Sequence, residues 1–389
     1  MSKNSSNYTV WEIRIDPKMI KILISGDIIL DNELQKNNNE KTFSAEIIEV
    51  LQNKDYSICN LESPLTSSKN ALQCKTGISK KAEPQNVRIL KSCNFDAVTL
   101  ANNHILDYNE EGLFDTIEIC NKEGIKTIGA GVDILIARIP LQVRIKNKNV
   151  SFINFCENEF SIAEEHSAGA NPFSPISAFY QIKEARLNSD IVIIIFHGGL
   201  EYHHIPLPGF IESCKFFIDA GADAVVCHHT HYYSGYTYYK DKPIFYGLGN
   251  FYAKSRKKDS NLDKGYIVVL NFEDDKTSHN IYGHKRIGNK VCQMDEKEQL
   301  ELLEHIENLN KIINDKDRLN EYWKRMIENN TKKYLPILFS SNMLLYKIFK
   351  RLPFLLRVNK CQVMNALSLV RCESHREVLL EILKRKLKG

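Results

Sequence analysis

From Ile20 to about Phe272 the chain alternates short apolar, β-branched runs with segments whose apolar residues recur at helical spacing. Ile22 to Ile24, running into Ser25-Gly26-Asp27, predicts a strand that ends in a turn. Ala45, Ile48 and Leu51 share a helical face, and Tyr56 to Cys59 predicts a strand closing on Asn60-Leu61-Glu62. Val87 and Leu90 mark another helix, and Phe95 to Leu100 another strand, ending at Ala101-Asn102-Asn103-His104. Leu113, Phe114, Ile117 and Cys120 predict an amphipathic helix stopped by Gly124. Leu141 to Ile145 and Val150 to Phe155, split by four polar residues, read as a β-hairpin. A helix near Ile176 to Arg186 leads to the strongest apolar run, Asp190 to Phe196, which closes on His197-Gly198-Gly199. A helix from Ile211 to Ala220 precedes Gly221, and a buried strand then ends in His228-His229-Thr230-His231. Pro243 to Tyr252 contains a further strand with a Gly-Leu-Gly-Asn turn, and Tyr266 to Phe272 is expected to be the last strand.

This alternation predicts an α/β core, in which ligands bind outside the carboxyl ends of the strands. Asp27, Glu62, Asn103, His197, His229 and His231 all fall just past such an end. If the chain stays extended there, His229 and His231 point to one side and His228 to the other. Taken singly, Asp27 or the Asn-Asn-His run could cap a helix, and Glu62 could sit on the surface. Taken together, two carboxylates, three imidazoles and a carboxamide along one edge point to one or two divalent ions, Mn²⁺, Zn²⁺ or Fe²⁺. Sulfur is absent from the set, because Cys227 lies inside its strand. Asp27 and Glu62 set about −2 against +4 from two ions, so the pocket is suited to an anionic small-molecule or polymer substrate. His104 is placed to give a proton to a leaving group, and Asp107, three residues on, to orient its imidazole. Glu201 is a candidate base, further ligand or anchor.

After about Met294 the composition changes. Leu303, Ile306, Leu309 and Ile313 lie on one helical face, and Asp295 with Glu298 spells a capping box. A helix from Leu319 to Asn329 follows, and residues 334–358 mix apolar residues with Lys347, Lys350, Arg351 and Arg357. Three regions are expected: an extension at 1–19, a core domain at 20–294 and a helical basic region at 295–389. The basic region reads first as a helical appendage packing on the core with a solvated basic face, and second as a surface for peripheral membrane contact. A net charge of +4 over 389 residues gives no footing for nucleic acid. The ten cysteines lack a Cys-x-x-Cys pair and mostly sit in apolar periodic segments, which predicts buried free thiols and a cytoplasmic protein. The first 18 residues are polar, and no signal peptide is expected from them.

In order along the chain come Ser25-Gly26-Asp27, Asn60-Leu61-Glu62-Ser63-Pro64, Asn102-Asn103-His104, with Asp107-Tyr108 beyond it, His197-Gly198-Gly199, His229-Thr230-His231 and Gly247-Leu248-Gly249-Asn250-Phe251. This series resembles the CapA family of poly-γ-glutamate capsule biosynthesis proteins, itself similar to the calcineurin-like metallophosphoesterases. The resemblance covers roughly residues 20 to 275. It implies a four-layer α-β-β-α sandwich, with Asp27, Glu62, Asn103, His197, His229 and His231 as metal ligands. It places His104 at the catalytic histidine, and a metal-activated hydroxide acting on a phosphoester or a γ-glutamyl amide. The alternative is a non-catalytic partner that holds an anionic polymer in a surface-assembly system. Three positions depart from the family pattern. Gly198 stands in place of a usual Trp and is expected to open the pocket wall. Asn109 stands in place of a usual Gly, and Ile29 stands where metallophosphoesterases carry the histidine of Asp-x-His.

Overall fold

The computed structural model describes residues 19–31, 42–72, 78–253, 259–274, 276–338 and 360–388. In chain order, β1 (Ile20–Ile28), α1 (Ala45–Gln52), β2 (Tyr56–Leu61), α2 (Val87–Ser92), β3 (Ala97–Thr99), α3 (Asn109–Lys122) and β4 (Lys126–Ile128) form the first half. A short β5 (Ala130–Gly131), α4 (Ile134–Ala137), the hairpin β6 (Leu141–Ile145) and β7 (Lys148–Cys156), and β8 (Gly169–Ala170) follow. Then come α5 (Pro175–Asn188), β9 (Ile191–His197), α6 (Pro208–Ala220), β10 (Ala224–His228), β11 (Tyr236–Tyr239), β12 (Lys242–Phe245) and β13 (Asn250–Tyr252). The chain continues through β14 (Lys264–Glu273), β15 (Lys276–Ile287) and β16 (Lys290–Gln293). The helices α7 (Glu296–Ile313), α8 (Lys316–Leu338), α9 (Lys360–Arg371) and α10 (Glu373–Lys388) come last.

Two sheets carry the architecture. One runs β16-β15-β14-β1-β2-β3-β4, with β13 paired to the end of β1; the other runs β11-β12-β10-β9-β7-β6. β1 to β4 are mutually parallel, as are β7, β9, β10 and β12. Period-two alternation divides each strand between two cores. Ile20, Ile22 and Ile24 of β1, with Tyr266, Val268 and Leu270 of β14, pack in one core with Phe152 and Ile193 of the second sheet. Leu23, Ile267 and Val269 face the other way, onto Ile47 and Leu51 of α1, Leu90 of α2 and Leu113 of α3. On the far side of the second sheet Phe217 of α6 stacks on Phe155 of β7 at 5.5 Å, and Ile182 of α5 is fully buried. The layers are therefore helix, sheet, sheet, helix, as expected.

Several details differ from the pattern-based expectation. Tyr266 to Phe272 is not the last strand: β15 is the longest among the described residues, and its KTSHNIYGHKRI sequence hid it, because it lies half-exposed beside β14 without an apolar face. On α1 the buried pair is Ile47 and Leu51, with Ala45 exposed, and on α3 Phe114 is 38% exposed while Thr116 is buried. On α7 Leu302 is buried and Leu303 faces solvent, although the Asp295/Glu298 capping box is present as read. Eight described cysteines are free and seven of these are buried, as expected of most of them, while Cys361 is disulfide-bonded.

The change at Met294 is a change of element and not of core. Leu302, Ile306, Leu309 and Ile313 of α7, Met326 and Ile327 of α8, Leu369 of α9, and Val378, Leu379 and Ile382 of α10 join the same buried cluster as the two sheets. Among the described residues, no helix is long and apolar enough to cross a membrane. The extension at 1–18 and most of the basic segment at 334–358 lie outside the described residues.

Candidate metal centre

The carboxyl ends of β1, β2, β3, β9 and β10 come to one place between the sheets. A buried carboxamide ties them together. Asn60 Nδ2, on β2, donates to Asp27 Oδ1 at 2.7 Å and lies 3.2 Å from His197 Nδ1. Asn60 Oδ1 accepts from Thr99 Oγ1 at 3.2 Å and from Asn102 Nδ2 at 3.3 Å. Asn60 and Asn102 show no exposure, so each polar atom needs these partners. This hub fixes the Asp27 carboxylate and the His197 ring before any ligand arrives.

Two groups of donors form around Glu62, which is fully buried. In the first, His197 Nε2 lies 3.2 Å from Asn103 Oδ1, 3.0 Å from His229 Nδ1 and 4.0 Å from Glu62 Oε1. In the second, His231 Nδ1 lies 3.5 Å from Asp27 Oδ2, 3.6 Å from Glu62 Oε2 and 3.0 Å from Asn250 Oδ1. Within each triad, Glu62–His197–His229 and Asp27–Glu62–His231, the ligand atoms lie within 4.8 Å of one another. One carboxylate thus belongs to both triads, one oxygen to each. Glu62 Oε2 is buried and has no hydrogen-bond partner. A buried carboxylate oxygen left bare is costly, and a cation between it and His231 would satisfy it.

The electrostatics fit a cation. Burial pushes the His197 imidazole well below its ordinary value, with neighbouring His229 adding to the effect, so its lone pair is free at neutral pH. Burial would raise the Asp27 carboxyl, but the His231 hydrogen bond and the charges of His228 and His231 hold it below the usual carboxylate range. Burial would lower His231, and the Glu62 charge and the Asp27 hydrogen bond outweigh it, so His231 is raised. The Asp27 and Glu62 carboxylates thus favour positive charge at the place that His231 Nδ1 faces. Beside the triads, His104 Nδ1 lies 2.6 Å from Asp107 Oδ2, and His104 Nε2 lies 3.7 Å from Glu62 Oε1. Lys80 closes the same corner, its backbone N–H donating to Asp107 Oδ2 at 2.7 Å and its ammonium to Glu62 Oε1 at 3.2 Å.

Residues 21–255 match the family described as Bacterial capsule synthesis protein PGA_cap. The chain belongs to this family. It is 29% identical over 246 residues to the PGA biosynthesis protein CapA of Bacillus subtilis (strain 168), covering 61% of this chain and 65% of that protein. It is 32% identical over 223 residues to the Capsule biosynthesis protein CapA of Bacillus anthracis, covering 54% of each. The chain therefore spans between half and two thirds of these relatives. Among solved structures, a novel phosphatase from Mycoplasma pneumoniae superposes with a TM-score of 0.44 at 16% identity, over 72% of this chain and 96% of that one.

All six expected ligands of this PGA_cap protein converge, but the two histidines get there differently than expected. β10 stops at His228, and His229 (φ 94°) and His231 (φ 57°) adopt left-handed backbone that strand alternation does not describe. Such strain in non-glycine residues persists only where the surroundings over-determine it. His228 does point away, with Nε2 2.9 Å from the Ser25 carbonyl. Glu201 stands apart from both triads: it is 37% exposed and its Oε1 lies 3.8 Å from the outer nitrogen of His231. At the three departures, Asn109 has φ 57°, a left-handed conformation that Asn tolerates and that glycine would meet freely. Ile29 supplies no ring, and its N–H donates to the Tyr252 carbonyl at 2.7 Å. Gly198 does not open the wall. A Cβ there would meet Glu157 Cγ at 2.7 Å and Phe210 Cε2 at 3.0 Å, so those side chains already fill the space.

Four residues of the site escaped the sequence reading. Asn60 and Asn250 sit inside motifs that were noticed, two residues before Glu62 and directly after Gly249, and their polarity at a buried strand end was the available signal. Lys80 carried no signal. Neither did Glu159, whose Oε1 lies 3.5 Å from His229 Nε2 and whose Oε2 accepts from Asn103 Nδ2 at 3.4 Å.

Proposed function

We propose that this protein acts in the synthesis of a bacterial capsular polymer of the poly-glutamate class, as a hydrolase that uses two divalent ions, Mn²⁺, Zn²⁺ or Fe²⁺. The observation that carries this reading is Glu62, a buried carboxylate common to two ligand triads with one oxygen otherwise bare. Glu62, Asn103, His197 and His229 would hold one ion, and Asp27, Glu62 and His231 the other. Bound there, divalent ions supply Lewis acidity and water activation.

The protein's own groups do the rest. Asn60 keeps Asp27 and His197 aimed inward, and Glu159 orients His229 from behind, as a carboxylate commonly does for a metal-binding imidazole. Asp107 accepts from His104 Nδ1–H and favours the imidazolium, whose Nε2–H faces the centre and would hand its proton to the departing oxygen of a phosphoester or nitrogen of a γ-glutamyl amide, leaving the neutral ring. Lys80 supplies a cation for an anionic substrate.

The test is turnover by the full chain loaded with each metal, on phosphomonoester and phosphodiester model substrates and on poly-γ-glutamate. Turnover of one class is expected, with His104→Ala lowering kcat by about 10²- to 10⁴-fold at unchanged metal content. Glu62→Gln is expected to release metal. Absence of turnover with all three metals would overturn the hydrolase reading. Full capsule formation supported by His104→Ala would instead support a polymer-holding role.

A further inference from the structure

The residues 157–159 that follow β7 receive the elbow between α9 and α10. Ser374 Oγ donates to Glu157 Oε1 at 2.7 Å, and Cys372 Sγ to Glu157 Oε2 at 3.3 Å. Asn158 donates twice to Glu373, from its backbone N–H at 3.1 Å and its Nδ2 at 2.6 Å. These bonds bring Cys372 and His375 onto Glu159, across more than two hundred residues of chain, with their ligand atoms within 4.8 Å of one another. Cys372 is 1% exposed and the Glu159 side chain 9%.

We propose that Glu159, Cys372 and His375 form a third cation site, of the zinc class, that clamps the C-terminal helices to the rim of the strand-end centre. The donor set decides the metal. A thiolate, an imidazole and a carboxylate suit Zn²⁺ and are poor for Mg²⁺ or Ca²⁺, and three protein ligands leave a fourth tetrahedral place for water. On binding, Cys372 releases its thiol proton to solvent and exchanges its hydrogen bond to Glu157 for a bond to the ion. The bonds of Ser374 to Glu157 and of Asn158 to Glu373 place the turn that carries Cys372 and His375 beside Glu159 beforehand. The site also reaches the main centre, because the Glu159 oxygens lie beside His229 and Asn103. Cys372 and His375 lie beyond residues 21–255, which the family matches.

The strand-end centre contains no sulfur, which makes the two kinds of site separable by spectroscopy. Cobalt(II) titration of the full chain is expected to give a near-ultraviolet thiolate-to-cobalt charge-transfer band that saturates with one equivalent. Cys372→Ser should abolish the band and remove one bound ion. His375→Gln, at a partly exposed position, should weaken that equivalent by more than the roughly 10- to 100-fold seen when an outer partner of a ligand is lost. Glu62→Gln should empty the strand-end centre and leave the band, so this result stands apart from the fate of the hydrolase reading. Cobalt binding without the band, or a band that survives in both Cys372→Ser and His375→Gln, would overturn the proposal.

Discussion

At the scale of single residues, the centre depends on groups that never need to touch a substrate. Asn60 serves four partners at once, so Asn60→Leu should leave one Asn102 N–H short of an acceptor, since Thr99 can still donate to the Cys59 carbonyl, and free the Asp27 carboxylate to rotate. A loss of about 1–3 kcal/mol for each buried group left unpaired is expected in denaturant unfolding. Metal affinity should fall by roughly 10- to 100-fold, read by competitive chelator titration. Away from the centre, His284 is buried at the edge of Phe251, and its Nε2 has no partner. Burial pushes it down to about 3. Its unfolded value is about 6.5, so below that pH the unfolded chain takes up a proton that the native ring refuses. The contribution is therefore intact above about pH 6.5 and is lost as the pH falls toward 3, with a slope of about 1.4 kcal/mol per pH unit. His284→Phe should flatten the acid limb of the stability profile and leave neutral-pH stability equal or higher. An unchanged acid limb in urea melts from pH 4 to pH 7 would refute this.

At the scale of elements, the ends of strands and helices are where small sequence features have large effects. β1 changes register between Ile24 and Asp27 where it meets the Gly-Leu-Gly-Asn turn, and Asp27 N–H donates to the Gly249 carbonyl at 3.0 Å. A Cβ on Gly26 would stand 2.0 Å from that carbonyl oxygen, so only glycine allows the strand and the turn to approach this closely. Gly26→Ala should cost about 3 kcal/mol by overpacking and also displace Asp27, lowering metal content in whatever protein folds. Asp295 opens α7 with both bonds of its capping box, its Oδ1 accepting from Glu298 N–H at 2.9 Å and its own backbone N–H donating to Glu298 Oε2 at 3.1 Å. Asp295→Ala should cost about 1 kcal/mol in thermal or denaturant unfolding, with metal binding unaffected. The contrast between the two variants separates a stability element from one that also positions a ligand.

At the scale of the whole molecule, the C-terminal helices pack onto the core through buried apolar residues. Glu377 of α10 accepts from the Gly209 N–H at the start of α6 at 2.9 Å, and Leu369, Val378, Leu379 and Ile382 are buried. Each such side chain contributes about 1.5–3 kcal/mol when removed from water. Deleting residues 360–388 should lower the unfolding midpoint sharply and expose a dye-binding apolar surface on α6. An unchanged midpoint would mean that these helices dock without contributing to the core.

The strand ends Asp27, Glu62, Asn103 and His197 could be read from pattern alone. Apolar alternation locates a buried strand, and a polar residue just beyond it marks its rim. Local turn chemistry was equally legible at Gly124, Gly221 and Asp295. What remained hidden required two sheets to meet. β15 has no apolar face of its own, and Glu159 and Lys80 gain meaning only from neighbours far along the chain. Gly198 looked like an opening until Glu157 and Phe210 were seen to fill it. The amino-acid order by itself determined which residues sit at the rim, because side-chain period and turn preference are local. Tertiary structure alone decided that the left-handed turns at His229 and His231 aim both rings at one carboxylate, Glu62. That convergence depends on how distant strands register and pack, which no local stretch encodes.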